Sequence, residues 1–254
     1  MSKKIFFAVA FATLALGQAA QAQTNLQTFY DFGKNRNHFT TTLEGFYGDN
    51  WGNTFFFIDY DFNAKDADGV NQAPSGSYME IARCLNFWQN VPVLGNFSLQ
   101  VEYNGLVGVN QNFLFGIDYF LHSQDFKNTF NFKLLYKTFS KNIASSDIPV
   151  QFTFVWGMQD LFGVEGLRFS GFADVWGENV FNFNECFLLP TDAAYKEKAD
   201  RKVVFISEPQ IWYNVGKWFG CPNFHIGGEV ELSLNFAGYD GFYARPCVGT
   251  KWVF

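Results

Sequence analysis

Aromatic and acidic side chains share one parity of the segment Asn53–Phe62 (NTFFFIDYDF). Phe55, Phe57, Asp59 and Asp61 fall on this parity, and apolar and phenolic residues fill the other. An aromatic ring stacks on a planar base with about 1–3 kcal/mol, and a carboxylate accepts hydrogen bonds from hydroxyl and amino groups. A large apolar ring on an otherwise polar face needs a reason, and contact with a substrate is one. The same side chains could instead fill and stiffen an interior, where buried charges need partners.

Two histidines raise hydrolytic chemistry as an alternative. His122 lies four residues after Asp118, and His225 lies four residues before Glu229, so each pair shares one face of a strand. Acyl transfer needs a nucleophile beside the histidine and a third group that orients the ring. The sequence identifies no such nucleophile, and an inward histidine near a carboxylate is more often a lumen residue without a catalytic role. A hydrolase therefore stays a rival class.

The cysteine and histidine content argues against a metal site. The chain has three histidines, and no two of its cysteines have CxxC spacing. We expect Cys84, Cys186, Cys221 and Cys247 to be isolated thiols or to contain one structural disulfide.

The C-terminal segment Phe242–Phe254 shows how such side chains are positioned. Trp252 and Val248 share its apolar parity, whereas Arg245 and Lys251 lie on the other, which is the period of a half-buried strand. The final aromatic, Phe254, looks like the C-terminal signal of bacterial outer-membrane barrels. We expect it to contact the barrel-insertion machinery.

Similar alternation recurs along the chain in segments of roughly ten residues, long enough to cross a bilayer at a tilt. The candidate strands are Leu26–Phe32, His38–Tyr47, Asn53–Phe62, Ser77–Phe87, Phe97–Asn104, Phe113–His122, Thr129–Phe139, Val150–Met158, Leu167–Trp176, Val203–Val215, Phe224–Phe236 and Phe242–Phe254. Their even number and the position of the two longest connections, Asn63–Gly76 and Gly177–Arg201, on one side predict an all-β, twelve-stranded antiparallel transmembrane β-barrel.

The polar parity must face the lumen, because a Lys or Arg on the lipid face costs about 2–4 kcal/mol at mid-depth. Arg83 is the exception, since it falls on the apolar parity. Either a bulge occurs there, or Arg83 lies near an interface and snorkels. A soluble sandwich that buries the aromatic faces is the alternative fold, but aromatic residues make up 20% of the chain and charged residues only 17%, which favours a barrel wall.

The N-terminal segment Met1–Ala22 has the features of a secretory signal peptide. Lys3 and Lys4 precede an apolar run, and Ala20-Gln21-Ala22 forms a small-residue cleavage site. The mature barrel would then be one domain over residues 23–254 in the bacterial outer membrane. Loss of the two lysines makes the net charge more negative than the −6 of the whole chain, which argues against a nucleic-acid polymer as partner.

Three motifs resemble the Tsx-type nucleoside-specific channels of the outer membrane. SGSYMEIARCLNF (Ser75–Phe87) resembles the Met-Glu-Ile-Glu strand of that family, although Ala82 stands where the second Glu often occurs. GFADVWGEN (Gly171–Asn179) resembles its Gly-Phe-x-x-x-x-Trp-Gly strand end, and WGNTFFFIDYDF (Trp51–Phe62) matches its aromatic-acidic strand.

The resemblance implies a barrel in outer-membrane lipid through which nucleosides or similar small solutes diffuse, without a cofactor or a covalent step. Our hypothesis is that six residues line the path: Phe55, Phe57, Asp59, Asp61, Glu80 and Trp176. Two alternatives remain: a barrel enzyme of the phospholipase or protease type, and a non-conducting barrel that uses the Gly177–Arg201 loop to bind a partner.

Overall fold

The structure is a computed structural model that describes residues 23–34, 36–62, 64–65, 71–73, 76–106, 110–139, 145–181, 198–237 and 239–254. The predicted signal peptide and Cys186 lie outside these residues. Within the described part, no helix is long and apolar enough to cross a membrane.

Nearly all of the described chain is β-strand. The strands are β1 (Gln23–Asp31), β2 (His38–Asp49), β3 (Gly52–Phe62), β4 (Ala64–Lys65), β5 (Asn71–Ala73), β6 (Gly76–Leu85), β7 (Phe97–Leu106), β8 (Asn110–His122), β9 (Asn128–Lys137), β10 (Val150–Gln159), β11 (Leu167–Phe181), β12 (Lys198–Ser207), β13 (Gln210–Tyr213), β14 (Phe224–Leu234) and β15 (Phe242–Val253). Short 3₁₀ turns occur at Leu94–Asn96, Leu161–Gly163 and Gly216–Phe219.

The strands close into one antiparallel barrel. Sequential strands pair in a continuous meander, and the first strand, β1, pairs with the last, β15, from Asn25↔Val253 to Asp31↔Cys247. β12 and β13 together form one barrel strand, because both lie between β11 and β14. β4 and β5 form a separate small hairpin. The predicted twelve-stranded antiparallel barrel is confirmed.

The two faces of the wall differ in polarity. On the outer face, Leu99, Ile117 and Leu134 lie side by side across three strands, and each is nearly half exposed. On the inner face, Lys251 and Arg245 of β15 are almost fully buried. Closure satisfies every strand edge, and an apolar outer band can be exposed only to lipid. The molecule is therefore an outer-membrane β-barrel.

We call the end that carries Gln23 and Val253 the terminal end and the opposite end the distal end. The predicted Gly177–Arg201 connection at the distal end is shorter than expected. β11 continues to Phe181, and β12 already begins at Lys198, with Gly177 paired to Val203. Charged residues did not end these strands, because a strand that projects beyond the hydrocarbon can carry charges towards water. The remainder of that loop lies outside the described residues.

Arg83 follows the second of its two predicted alternatives. The register between β3 and β6 runs without a shift from Gly52↔Leu85 to Asp61↔Gly76, so no bulge re-aims the side chain. Arg83 instead reaches the terminal end, where its Nη2 lies 2.8 Å from Asp49 Oδ1 and its Nη1 donates to Thr54 Oγ1 at 3.1 Å. The guanidinium thus leaves the apolar band for the interface.

Candidate functional site

The barrel lumen contains most of the charged side chains of the described strands. Carboxylates outnumber the lysines and arginines of the inner face. The inward acidic residues are Asp31, Glu44, Asp59, Asp61, Glu80, Glu102, Asp118, Asp174, Glu178, Glu208, Glu229 and Glu231, and the basic residues of the same strands are Lys133, Lys137, Arg168, Lys202, Arg245 and Lys251. Their common parity follows from cross-strand pairing, since partners in a register point to the same face.

An aromatic ladder runs along one wall of the lumen. We use this name for Phe55, Phe57 and Tyr78, whose ring centroids are 6.0 Å apart for Phe55 and Phe57 and 5.6 Å apart for Phe57 and Tyr78. The register Phe57↔Glu80 and Asp59↔Tyr78 places Tyr78 diagonally opposite Phe57. The rings are tilted by 52° and 47° to one another at distances typical of aromatic pairs, so each offers its own face or edge to the lumen.

The two aspartates that follow the ladder on β3 are held by hydroxyls of β2. Thr42 Oγ1 donates to Asp59 Oδ1 at 2.6 Å, and Thr40 Oγ1 donates to Asp61 Oδ1 at 2.7 Å. His38 Nε2 also lies 3.7 Å from Asp61 Oδ1. These contacts fix the orientation of both carboxylates.

Glu80 belongs to a ring of carboxylates at mid-lumen. We call this ring the carboxylate belt, and its members are Asp59, Glu80, Glu102, Asp174, Glu208 and Glu229. Glu80 accepts a hydrogen bond from Tyr78 Oη at 3.4 Å, and the charges nearest to it include those of Glu102 and Asp174. Glu208 in turn is close to Glu229 and Asp59. The belt thus joins both walls of the barrel.

Carboxylates of the opposite wall face the aromatic ladder across the lumen at the level of the belt. Tyr78 lies on β6, whereas Asp174 and Glu208 lie on β11 and just after β12, on the other side of the closed sheet. Both carboxylates nevertheless act electrostatically on the Tyr78 phenol. A solute that crosses the barrel would therefore pass between the aromatic ladder and the opposite carboxylates.

Trp176 lies on β11, on the wall opposite β3, and packs in a cluster of its own. Its ring is almost fully buried against Val204 and Ile206, and Lys137 Nζ lies 3.5 Å above the ring centroid. Its indole N–H donates to Glu178 Oε2 at 2.6 Å. Five of the six predicted path residues therefore lie together on the wall formed by β3 and β6, and Trp176 lies apart from them.

Tyr78, Asp174 and Glu208 are site residues that the predicted set omitted. Tyr78 shares the parity of Glu80, so the alternation could have identified it. Glu208 follows β12 at a break in the barrel strand, where its own N–H donates to Phe172 O at 3.1 Å and Pro209 O accepts from Val230 N at 3.1 Å. The sequence marks Pro209 as a distortion and places Asp174 and Glu208 on the inward parity, but it does not show that these two carboxylates lie across the lumen from Tyr78.

A charge-balanced network occupies the distal end of the lumen. Arg36, from the β1–β2 turn, lies 2.7 Å from Asp31 and also pairs with Glu231. Glu231 pairs in addition with Arg245, whose guanidinium lies 4.6 Å from the ring centroid of Tyr243. Two arginines thus neutralise two carboxylates within this network.

The two histidines of the hydrolase alternative have non-catalytic surroundings. His122 stacks on Phe126 with 3.8 Å between ring centroids, and its Nδ1 lies 2.8 Å from the Ser123 carbonyl oxygen. The Ser123 hydroxyl donates to Asp125 and not to the histidine. His225 Nδ1 lies 3.2 Å from the carbonyl oxygen of Asn223. Within the described residues, neither ring is hydrogen-bonded to a serine or cysteine nucleophile.

The described cysteines are unpaired thiols. Cys84 is buried in the lumen wall and donates to Gln100 Oε1 at 3.4 Å, while Cys221 and Cys247 are also free. Among the described residues, no group of three or more His, Cys, Asp and Glu side chains is arranged to hold a metal ion.

Several solved structures of porins are similar to this chain. The NanC porin is similar with a TM-score of 0.51 and 9% identity, over 90% of this chain and 98% of that chain. The KdgM porin in complex with disordered oligogalacturonate gives a TM-score of 0.48 at 10% identity, over 91% of this chain and 99% of that one. A BenF-like porin from Pseudomonas fluorescens Pf-5 gives 0.40 at 8% identity, over 92% and 98%. At these identities the likeness concerns the fold.

No curated protein matches the sequence at a significant level. Residues 22–254 match the family described as Domain of unknown function (DUF5020). That match includes every described strand of the barrel, and the chain belongs to the DUF5020 family.

Proposed function

We propose that the barrel is a channel for passive diffusion of nucleosides or similar small polar-aromatic solutes across the outer membrane. The observation that carries this proposal is the aromatic ladder on one wall of the lumen, with carboxylates of the belt on the same wall and on the opposite one. The resemblance to Tsx-type channels in three sequence motifs supports the same solute class. The porin-type fold supports the coarser function of a channel for small solutes.

The two surfaces of the passage complement the two parts of a nucleoside. Phe55, Phe57 and Tyr78 offer ring faces on which a base can stack, at about 1–3 kcal/mol per base. Asp174 and Glu208, on the opposite wall, are acceptors for ribose hydroxyls and exocyclic amino groups. Both kinds of contact are weak and repeat along the lumen, which permits entry and also release.

Passage of a solute through this lumen requires no covalent step. Asp59 and Asp61 are held by threonine hydroxyls, and Glu80 by the Tyr78 phenol, so their hydrogen bonds position acceptors towards the lumen. The chain's own side chains orient a solute and let it pass down its gradient. Neither histidine is arranged for acyl transfer in the described residues, so no specific observation favours a hydrolase.

Liposome swelling with purified, refolded protein tests this function. Adenosine and thymidine are compared with sugars and amino acids of similar size, and we expect faster, saturable entry of the nucleosides. The double variant Phe55→Ala/Phe57→Ala removes two of the three ladder rings. If each ring contributes at least about 1.4 kcal/mol of stacking, the half-saturating nucleoside concentration rises about tenfold per ring.

Phe113→Ala/Phe115→Ala is the matched control, because these two rings have the same spacing but lie on the outer face, each nearly half exposed. The control should leave nucleoside entry unchanged. If each solute enters at the same rate with the ladder variant and with the control variant, the assignment of Phe55 and Phe57 to the lumen lining is contradicted. Failure of all solutes to enter with wild-type protein would contradict the channel itself.

A further inference from the structure

We propose that the carboxylate belt makes the lumen selective for cationic and neutral solutes, so that it rejects anions such as nucleotides. This inference rests on the proposed channel function and adds to it the charge class of the solutes. It arises from three features of the lumen: the missing counter-ions of the belt, the engagement of the nearby lysines, and buried acceptors without partners.

The belt carboxylates lack direct counter-ions. In the described part of the chain, no Lys or Arg nitrogen lies within 4.0 Å of a carboxylate oxygen of Asp59, Glu80, Glu102, Asp174, Glu208 or Glu229. The ion pairs of the inner-face bases lie at the distal end, in the network of Arg36 and Arg245 and between Lys202 and Asp240. The carboxylates of the distal network are thus paired with arginines, whereas those of the belt have no direct ion partner in the described part of the chain.

The lysines closest to the belt are engaged elsewhere. Lys137 Nζ donates to Gln151 Oε1 at 2.9 Å and lies over the Trp176 ring. Lys251 Nζ lies 4.4 Å from the centroid of the Trp212 ring. Lys133 is near enough to Glu102 and other acidic groups to act on them electrostatically, but it forms no ion pair among the described residues. These cations reduce the negative field of the belt without cancelling it.

Buried acceptors without a donor face the same part of the lumen. Asn104 Oδ1, Asn112 Oδ1 and Asp118 Oδ1 have no hydrogen-bond partner in the described structure, and their residues are 6%, 7% and 2% exposed. Asn104 is paired with Glu80 in the register, and Asn112 is paired with Asn104, so the set continues the belt across β6, β7 and β8. Unsatisfied buried acceptors require donors. A cation or a neutral donor-rich solute supplies them, whereas the phosphate group of a nucleotide adds only acceptors and negative charge.

The geometry of the lumen strengthens this preference. Strands on both sides of the closed sheet contribute carboxylates to the belt, so an ion that passes through the lumen meets negative groups on both walls. A cleft lined by one sign of charge and bounded by low-dielectric walls concentrates ions of the opposite sign. Rings of Asp and Glu side chains are the device by which other pores select cations.

Planar bilayers with a tenfold KCl gradient provide the test. We expect the wild-type reversal potential to shift towards the cation limit of about 59 mV for that gradient. Glu80→Gln/Glu208→Gln removes one belt charge from each wall without changing side-chain size, and the potential should move towards zero. Glu165→Gln is the matched control, since Glu165 lies in the turn between β10 and β11, outside the barrel strands, and its potential should equal that of wild type.

A second measurement needs no variant. Wild-type liposomes should admit adenosine several-fold faster than adenosine 5′-monophosphate. A reversal potential near zero or of the sign expected for anion selectivity overturns the proposed selectivity, and so does equal entry of both solutes. In either case the proposed channel function still stands. Absence of any current and any entry overturns both, because the selectivity rests on a conducting lumen.

Discussion

A lysine placed at the centre of the outer face should destabilise the barrel strongly. Ile117 lies between Leu99 and Leu134 in the registers of β7, β8 and β9, and 46% of its surface is exposed on the apolar side of the wall. Ile117→Lys puts a charge at mid-depth in hydrocarbon, which costs about 2–4 kcal/mol. The folding equilibrium constant should fall about 30- to 700-fold, since each 1.4 kcal/mol is tenfold.

Reversible unfolding by urea in the presence of liposomes, followed by tryptophan fluorescence, measures this free energy. Ile148→Lys is the matched control, because Ile148 is 69% exposed in the distal connection just before β10. At that depth the same substitution should cost only about 0–1 kcal/mol. Equal losses for the two variants, or no loss for Ile117→Lys, would refute the assignment of this face to lipid.

Two further predictions concern ion pairs at the two ends of the barrel. Glu231→Leu leaves Arg36 and Arg245 without their shared carboxylate, and unfolding free energy should fall by about 3–5 kcal/mol in the same assay; a loss below about 1 kcal/mol would contradict the network. At the terminal end, a hydrogen bond from Lys127 lowers the pKa of Asp160, so Lys127→Ala should raise that pKa towards its ordinary value, as measured by NMR titration. Because the pKa of Asp160 is lowered in the folded state, the stabilisation is present above the ordinary aspartate pKa of about 3.9. It is lost as pH falls through the pKa that Asp160 has in the folded protein. An unchanged pKa in the variant would contradict the pairing.

The strands and their inward faces were predictable because period-two alternation depends on local sequence alone. Phe55, Phe57 and Asp59 lie on the inner face as their parity predicted, and Trp252 lies on the outer face. A lipid-exposed wall makes this signal strong, since a single charge on the wrong face is costly. Arg83 was the visible exception, and its reach to Asp49 explains why the exception is tolerated.

Features that depend on contacts between distant strands were not predictable in the same way. Parity places Trp176 on the inner face, but it does not tell which neighbours the ring meets, and the ring packs with Val204 and Lys137 instead of the aromatic ladder. The parity of Glu208 predicted its inward side, but not the close approach of its backbone to Gly171, where an added Cβ would lie 2.5 Å from the Glu208 carbonyl oxygen. These are properties of the closed barrel and not of one strand.

Interruption of ion current by adenosine is the measurement that tests the proposed passage most directly. A nucleoside that stacks on the ladder occupies the lumen at the level of the belt and displaces the ions that conduct there. We predict that adenosine reduces the current of single wild-type barrels in planar bilayers in a saturable way, and that Phe55→Ala/Phe57→Ala weakens this block about tenfold or more. A conducting barrel whose current is unaffected by adenosine at any concentration would contradict a nucleoside path through the ladder and the belt.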